Sequence, residues 1–105
     1  MTNGISSICS DPLLKNRLFD LLYQRAHPKT ACPSEIPRAL SLSELADLGA
    51  SHWRDLMPTM RELVFRLRDE GQVEVLQRGE VVGRERGLEE VRGPVRVRLV
   101  REEQF

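Results

Sequence analysis

Six arginines are the residues of this sequence whose type and spacing are best suited to binding chemistry. Arg54, Arg61 and Arg68 recur at i, i+7 and i+14, which places them on one edge of a helix. The guanidinium group can donate two parallel hydrogen bonds to a phosphate or to guanine. A charged hairpin and loop carry three more, at Arg78, Arg84 and Arg86. Together they predict a nucleic-acid-binding surface.

Acidic residues accompany these arginines and leave a second interpretation open. An acidic stripe runs along the same helix at Asp55, Glu62 and Asp69, and the hairpin and loop carry Glu80, Glu85, Glu89 and Glu90. Phosphate binding gains from net positive charge, whereas here 16 Lys and Arg balance 16 Asp and Glu. In the alternative interpretation, these arginines are solvated and paired with neighbouring carboxylates. The domain would then bind a protein partner or a second copy of itself.

Other chemistry has weak support. His27 and Cys32 are separated by four residues, which fits no common zinc motif, and as base and nucleophile they lack a third orienting group. Cys9 and His52 add no motif. The glycines of Gly83–Gly87 follow no strand-to-helix turn of the kind that cradles phosphate. We therefore expect no metal, no cofactor and no enzymatic activity.

Two aromatic residues near the arginines have alternative roles. Phe65 lies on the polar side of the helical wheel, where it either anchors a partner or is covered by the first helix, the tail or the C-terminus. The covered state is favoured. Trp53 is expected to pack over the start of its helix, with base stacking as the lesser alternative.

The first elements that position these residues are a tail and a helix. Met1–Ser10 shows no hydrophobic periodicity and is interpreted as a flexible tail, so the domain spans 11–105. Asp11 as N-cap and Pro12 at the first helical position predict a helix that runs to about Ala26.

Shorter elements follow. Lys29–Pro33 is expected to be extended. Ser34 is a suitable N-cap for a second helix over Glu35–Leu40. In the next stretch Ser43 is expected to cap a helical turn over Glu44–Leu48, which Gly49 would end.

The strongest helical pattern comes next. Apolar residues from Trp53 to Leu67 repeat at i, i+3, i+4 and i+7 spacing, and Gly71 suits the C′ position. Pro58 implies that this helix either begins near Asp55–Met57 or bends there.

The period then changes to two, which is typical of strands. Val73–Val75 alternates in polarity, Arg78–Glu80 forms a turn, and Gly83–Arg92 is a charged loop. Val95–Leu99 predicts a final strand with one buried face and an arginine face in water. This order predicts an α+β fold, a winged helix with a three-helix core and a small antiparallel β wing.

The bulk composition limits the class of protein. A chain of 105 residues is long enough for one core only. No apolar run approaches the length of about 20 residues that a membrane span needs, and the N-terminus lacks the pattern of a secretory signal. We expect a cytoplasmic location and no membrane partner.

Several separated blocks of the sequence form a recognisable set: Thr30–Glu35, Trp53–Arg54 with Leu56–Pro58, Arg66–Leu67 with Glu70–Gly71, Gln77–Gly79, and Arg92–Arg96. Together they resemble a small bacterial family called domain of unknown function 3253. The resemblance covers roughly Leu14 to Leu99 and implies a winged-helix-like fold with no established activity.

We expect a non-enzymatic module that binds double-stranded DNA or acts in regulation. If the module binds protein instead, the edge of the wing or the apolar Leu45–Leu48 patch would be the contact surface.

Overall fold

The computed structural model describes residues 12–100, so the predicted tail and the Asp11 cap lie outside the described residues. Within that range the protein is α+β, as predicted, with four α-helices and a three-stranded antiparallel sheet. The helices are α1 (Pro12–Arg25), α2 (Glu35–Arg38), α3 (Leu42–Asp47) and α4 (Met57–Asp69). The strands are β1 (Val73–Gln77), β2 (Glu80–Val81) and β3 (Arg96–Leu99). Short 3-10 turns occupy Trp53–Leu56 and Leu88–Glu90.

The sheet has the order β2-β1-β3, with β1 in the centre. β1 and β2 form a tight hairpin in which Gln77 lies opposite Glu80. On the other edge of the sheet, Ala31 and Val97 exchange two backbone hydrogen bonds, both of 2.8 Å. The extended segment predicted before α2 therefore adds a bridge to the sheet. This arrangement is compatible with a winged-helix-like fold.

The core lies between α1, α4 and one face of the sheet. It follows the predicted periodicities, with period 3.6 in the helices and period two in the strands. The most enclosed side chains are Leu14, Leu18, Leu22, Met60, Leu63, Val64, Val73, Val75 and Val97. Burial of this apolar surface is the main force that holds the helices on the sheet.

The start of α2 corrects the predicted cap. Ser34 has helical backbone angles and makes no capping hydrogen bond. The Glu35 carboxylate instead accepts the Cys32 N–H at 2.9 Å and both Nη atoms of Arg25, at 3.0 and 2.6 Å. The Arg25 guanidinium, helped by the Cys32 amide, holds the pKa of the Glu35 carboxyl below its usual range. The helix ends at Arg38, two residues short of the prediction, because Leu40 already closes a tighter turn onto Pro37.

The N-cap of α3 lies two residues earlier than predicted. Ser41, not Ser43, accepts the Glu44 N–H at 3.1 Å, and the Glu44 carboxylate accepts the Ser41 N–H at 2.9 Å. This reciprocal pair is a capping box, which satisfies two helix-terminal donors at once. Gly49 ends the helix with φ of 78°, as predicted.

α4 begins at Met57, so the first of the two predicted alternatives for Pro58 is correct. The four preceding residues wind as a 3-10 turn, and Pro58 lies in the first turn of the α-helix. Gly71 at φ 81° ends it, while the Gln72 N–H donates to the Leu67 carbonyl oxygen at 2.9 Å. This geometry is a Schellman motif.

The suggested Leu45–Leu48 contact patch is wrong. Leu45 and Leu48 are 6% and 8% exposed and belong to the core, because the α3 cap turns this face inward. Separately, within residues 12–100 no helix combines the length and apolar character that a membrane crossing requires.

Candidate nucleic-acid interface

The outer edge of α4 is covered by the loop of residues 83–93. Arg61 donates from Nη1 to the Gly93 carbonyl oxygen at 3.0 Å and from Nη2 to the Val91 carbonyl oxygen. Val91 is itself buried. Arg61 therefore holds the end of this loop against the helix.

Arg68 holds the beginning of the same loop. Its Nη1 donates to the carbonyl oxygens of Gly83 at 3.2 Å and Arg86 at 2.7 Å. Its Nε and Nη2 donate to Asp69 Oδ1 at 3.0 and 2.7 Å. Arg68 is only 5% exposed, and all three of its guanidinium nitrogens have partners within the chain. Its burial and these contacts make Arg68 a structural residue that is poorly accessible to a ligand.

Phe65 lies between these two arginines. The ring is 3% exposed, with the guanidinium carbons of Arg61 and Arg68 at 5.6 and 4.8 Å from its centroid. It belongs to the same core cluster as Val82 and Val91. The prediction that Phe65 is covered is confirmed, but the 83–93 loop covers it rather than the segments named from the sequence.

Arg78 is at the tip of the β1–β2 hairpin. Its φ is 55° and that of Gly79 is 84°, so both central residues of the two-residue turn are left-handed, as a type I′ turn requires. Its exposed side chain forms no hydrogen bond or ion pair with any residue of the range 12–100. Arg78 is therefore an exposed cation without a partner among these residues.

Two further exposed arginines, Arg84 and Arg86, follow in the 83–93 loop. Arg84 Nη2 lies 3.3 Å from the position that a Cβ atom on Gly71 would occupy, so its side chain runs along the end of α4. Arg86 gives its carbonyl oxygen to Arg68 and lines a surface groove with Arg78 and Glu80. We call Arg78, Arg84 and Arg86 the hairpin arginines.

A second exposed cationic group surrounds Trp53. The guanidinium carbons of Arg54 and Arg38 lie 4.8 and 5.2 Å from the centroid of the indole. The His52 ring is tilted by 30° against the indole at a centroid distance of 5.6 Å. We call Arg38, His52, Trp53 and Arg54 the Trp53 cluster. Arg38 could not be predicted from the sequence, because its contact joins α2 to the 3-10 turn and leaves no local pattern.

Hydrogen bonds fix the turn that carries this cluster. His52 Nδ1 accepts the Arg54 N–H at 3.1 Å. Asp55 Oδ2 accepts the N–H groups of Ser51 and His52 at 3.0 and 3.1 Å. The nearest carboxylate of the predicted acidic stripe therefore caps the turn, and no ion pair joins it to Arg38 or Arg54 in the described structure.

The remaining sequence candidates are not brought together. Cys32 is half-buried, and its Sγ lies 3.2 Å from Ser34 Oγ. Cys9 lies outside the described residues. Across residues 12–100, no three His, Cys, Asp or Glu side chains are grouped so that they could hold a metal ion.

The comparison with known proteins gives a family. The sequence model of a family described as "Protein of unknown function (DUF3253)" matches residues 11–100. None of the curated proteins matches the chain. Because the family match extends over most of its length, the chain belongs to this family.

Proposed function

We propose that this member of the family is a non-enzymatic module that binds double-stranded DNA through two exposed arginine groups. The first is Arg54 at the start of α4, and the second consists of the hairpin arginines. Arg61 and Arg68, which the sequence places in the same surface, contribute by holding the 83–93 loop in position.

The observation that supports this proposal is the division of the arginines into paired and free ones. Arg17, Arg25, Arg68 and Arg98 form ion pairs with Glu44, Glu35, Asp69 and Glu74. Arg54 and the hairpin arginines are exposed and have no such partner among residues 12–100. Their positive charge is therefore available to phosphates although the chain is neutral overall.

The places of the two groups in the fold suit a duplex. In helix-turn-helix proteins, residues at the N-terminal end of the recognition helix reach base edges, and flanking elements contact the backbone. Arg54 lies in the turn that flanks the start of α4, and Arg78 lies at the tip of the β1–β2 hairpin, so both are placed for contacts with the DNA backbone. The first two turns of α4 expose Pro58 and Glu62, and neither side chain suits deep insertion into a groove.

Titration of a fluorescently labelled, mixed-sequence duplex at several salt concentrations tests the proposal. We expect binding at low salt that weakens as salt rises, because bound cations release counterions from the phosphates. Arg54→Gln and Arg78→Gln should each weaken binding, and Glu80→Gln should strengthen it by removing a negative charge beside Arg78. Lys15→Gln, which removes an exposed charge from α1, is the matched control. No anisotropy change at about 50 mM salt, where nonspecific binding is favoured, would end the proposal.

One observation favours a second candidate function, self-association. Val81 is 50% exposed on the short edge strand β2, and it lines a groove with Val73, Val82 and Val100. Edge strands can pair with another chain. Sedimentation velocity would support this alternative if it found a dimer that Val81→Lys dissociates and if the same protein bound no duplex.

A further inference from the structure

We infer that Arg38 and Arg54, both held over the indole of Trp53, form a contact site for the phosphates of one DNA backbone strand. The inference rests on the proposed function and adds Arg38, a residue outside the arginine pattern of the sequence. It also gives Trp53 a role as a positioning residue rather than a base-stacking one.

The geometry brings two cations from different elements to one place. Arg38 is the last residue of α2, and Arg54 belongs to the 3-10 turn before α4. Their guanidinium carbons are 5.2 and 4.8 Å from the same ring centroid. Both side chains are exposed, so the pair can meet a ligand from solvent without rearrangement of the core.

The electrostatics favour an anion at this place. Arg38 and Arg54 both carry a positive charge, and within residues 12–100 neither guanidinium has a carboxylate partner. The one acidic side chain of the turn, Asp55, accepts two backbone N–H groups through Oδ2. A phosphate oxygen would supply the missing negative charge and accept charge-assisted hydrogen bonds.

Trp53 prepares the pair for binding. A free arginine side chain samples many rotamers, and ordering it on binding reduces affinity. Cation–π contact with the indole restricts both side chains beforehand. Since the indole already contacts two guanidinium groups and His52, the site is arranged for phosphate rather than for a stacked base.

Trp53 is the single tryptophan of the chain, so its fluorescence reports directly on this site. We expect its emission to change when an unlabelled mixed-sequence duplex is added. In parallel, the slope of log Kobs against log salt should become shallower by about 0.9 in Arg38→Gln, the value for one lost phosphate contact. Arg38→Lys, which keeps the charge, should retain most of the slope, and Lys15→Gln should retain all of it.

A second pair of variants separates positioning from mere structural support. Trp53→Phe keeps an aromatic face for the guanidinium groups and should preserve most of the duplex affinity. Trp53→Ala should weaken duplex binding about as much as Arg38→Gln does, with the far-ultraviolet circular dichroism spectrum unchanged.

The outcomes distinguish this site from the proposed function. If the wild-type protein binds duplex but Arg38→Gln leaves both the salt slope and the affinity unchanged, the site is wrong and DNA binding stands. If the wild-type protein binds no duplex, both proposals fall. If inorganic phosphate alters Trp53 emission and duplex does not, the site takes a free anion, and the inference as stated is overturned.

Discussion

At the scale of single residues, the surroundings of each arginine decide its role. Arg68 and Arg78 have the same side chain, but Arg68 is 5% exposed with carbonyl and carboxylate partners, whereas Arg78 is exposed at a hairpin tip. A helical wheel correctly places Arg61, Phe65 and Arg68 on one edge of α4. It contains no information on the 83–93 loop, because that contact is long-range. The sequence could therefore predict that these residues share one edge of α4, but not that the 83–93 loop covers this edge.

Replacement of Arg68 tests its structural role. Arg68→Gln should lower the free energy of unfolding by about 2–3 kcal/mol, because the carbonyl oxygens of Gly83 and Arg86 lose a buried, charged donor. Urea denaturation measures this change. Arg66→Gln, an exposed site two residues earlier on α4, should cost less than about 1 kcal/mol. Equal losses for the two variants would contradict the assignment.

At the scale of elements, the long periodic segments were predictable and the short ones were not. The run from Trp53 to Leu67 supplies several turns of one pattern, so α4 and its Gly71 end agree with prediction. α2 and α3 have only four and six residues, and a single capping residue sets each boundary. Ser34, Ser41 and Ser43 are equally plausible caps by type. The helix starts are decided by side-chain contacts, in which Glu35 accepts a hydrogen bond from Arg25 and Glu44 accepts one from the Ser41 N–H.

The α3 capping box gives a prediction with an internal control. Ser41→Ala should lower the free energy of unfolding by about 1 kcal/mol, because the Glu44 N–H loses its acceptor. Ser43→Ala makes the same chemical change two residues later and should alter stability by less than about 0.5 kcal/mol. Thermal or urea unfolding of the two variants compares them. A larger loss for Ser43→Ala would place the cap where the sequence suggested.

The hairpin turn should show opposed effects on stability and binding. Arg78 adopts φ of 55°, a conformation that costs most L-residues about 1–2 kcal/mol and that Asn accepts readily before Gly. Arg78→Asn should therefore raise the melting temperature. The same variant should weaken duplex binding because it removes an exposed cation.

The comparison with Arg78→Gln makes this prediction specific. Arg78→Gln removes the same charge without the turn preference, so it should weaken binding equally and leave the melting temperature nearly unchanged. If Arg78→Asn melts below the wild-type protein, the turn is not strained at this residue.

At the scale of the whole molecule, net charge is a poor guide to the surface. The chain is neutral, yet its ion pairs leave Arg38, Arg54 and the hairpin arginines without carboxylate partners in the described structure. Composition alone could not predict this division, because it depends on which side chains the fold brings together. The fold class followed from order and periodicity, whereas the candidate interface required contacts between distant elements.

The central claim is that duplex DNA contacts the start of α4 and the hairpin rather than the covered edge of α4. Amide chemical shifts of the ¹⁵N-labelled protein, followed by NMR during titration with a mixed-sequence duplex at low salt, test it most directly. The account predicts that the largest shifts occur at residues 53–57 and 77–86 and at Arg38, with little change along α1. An unchanged spectrum, or shifts concentrated on α1, would contradict it.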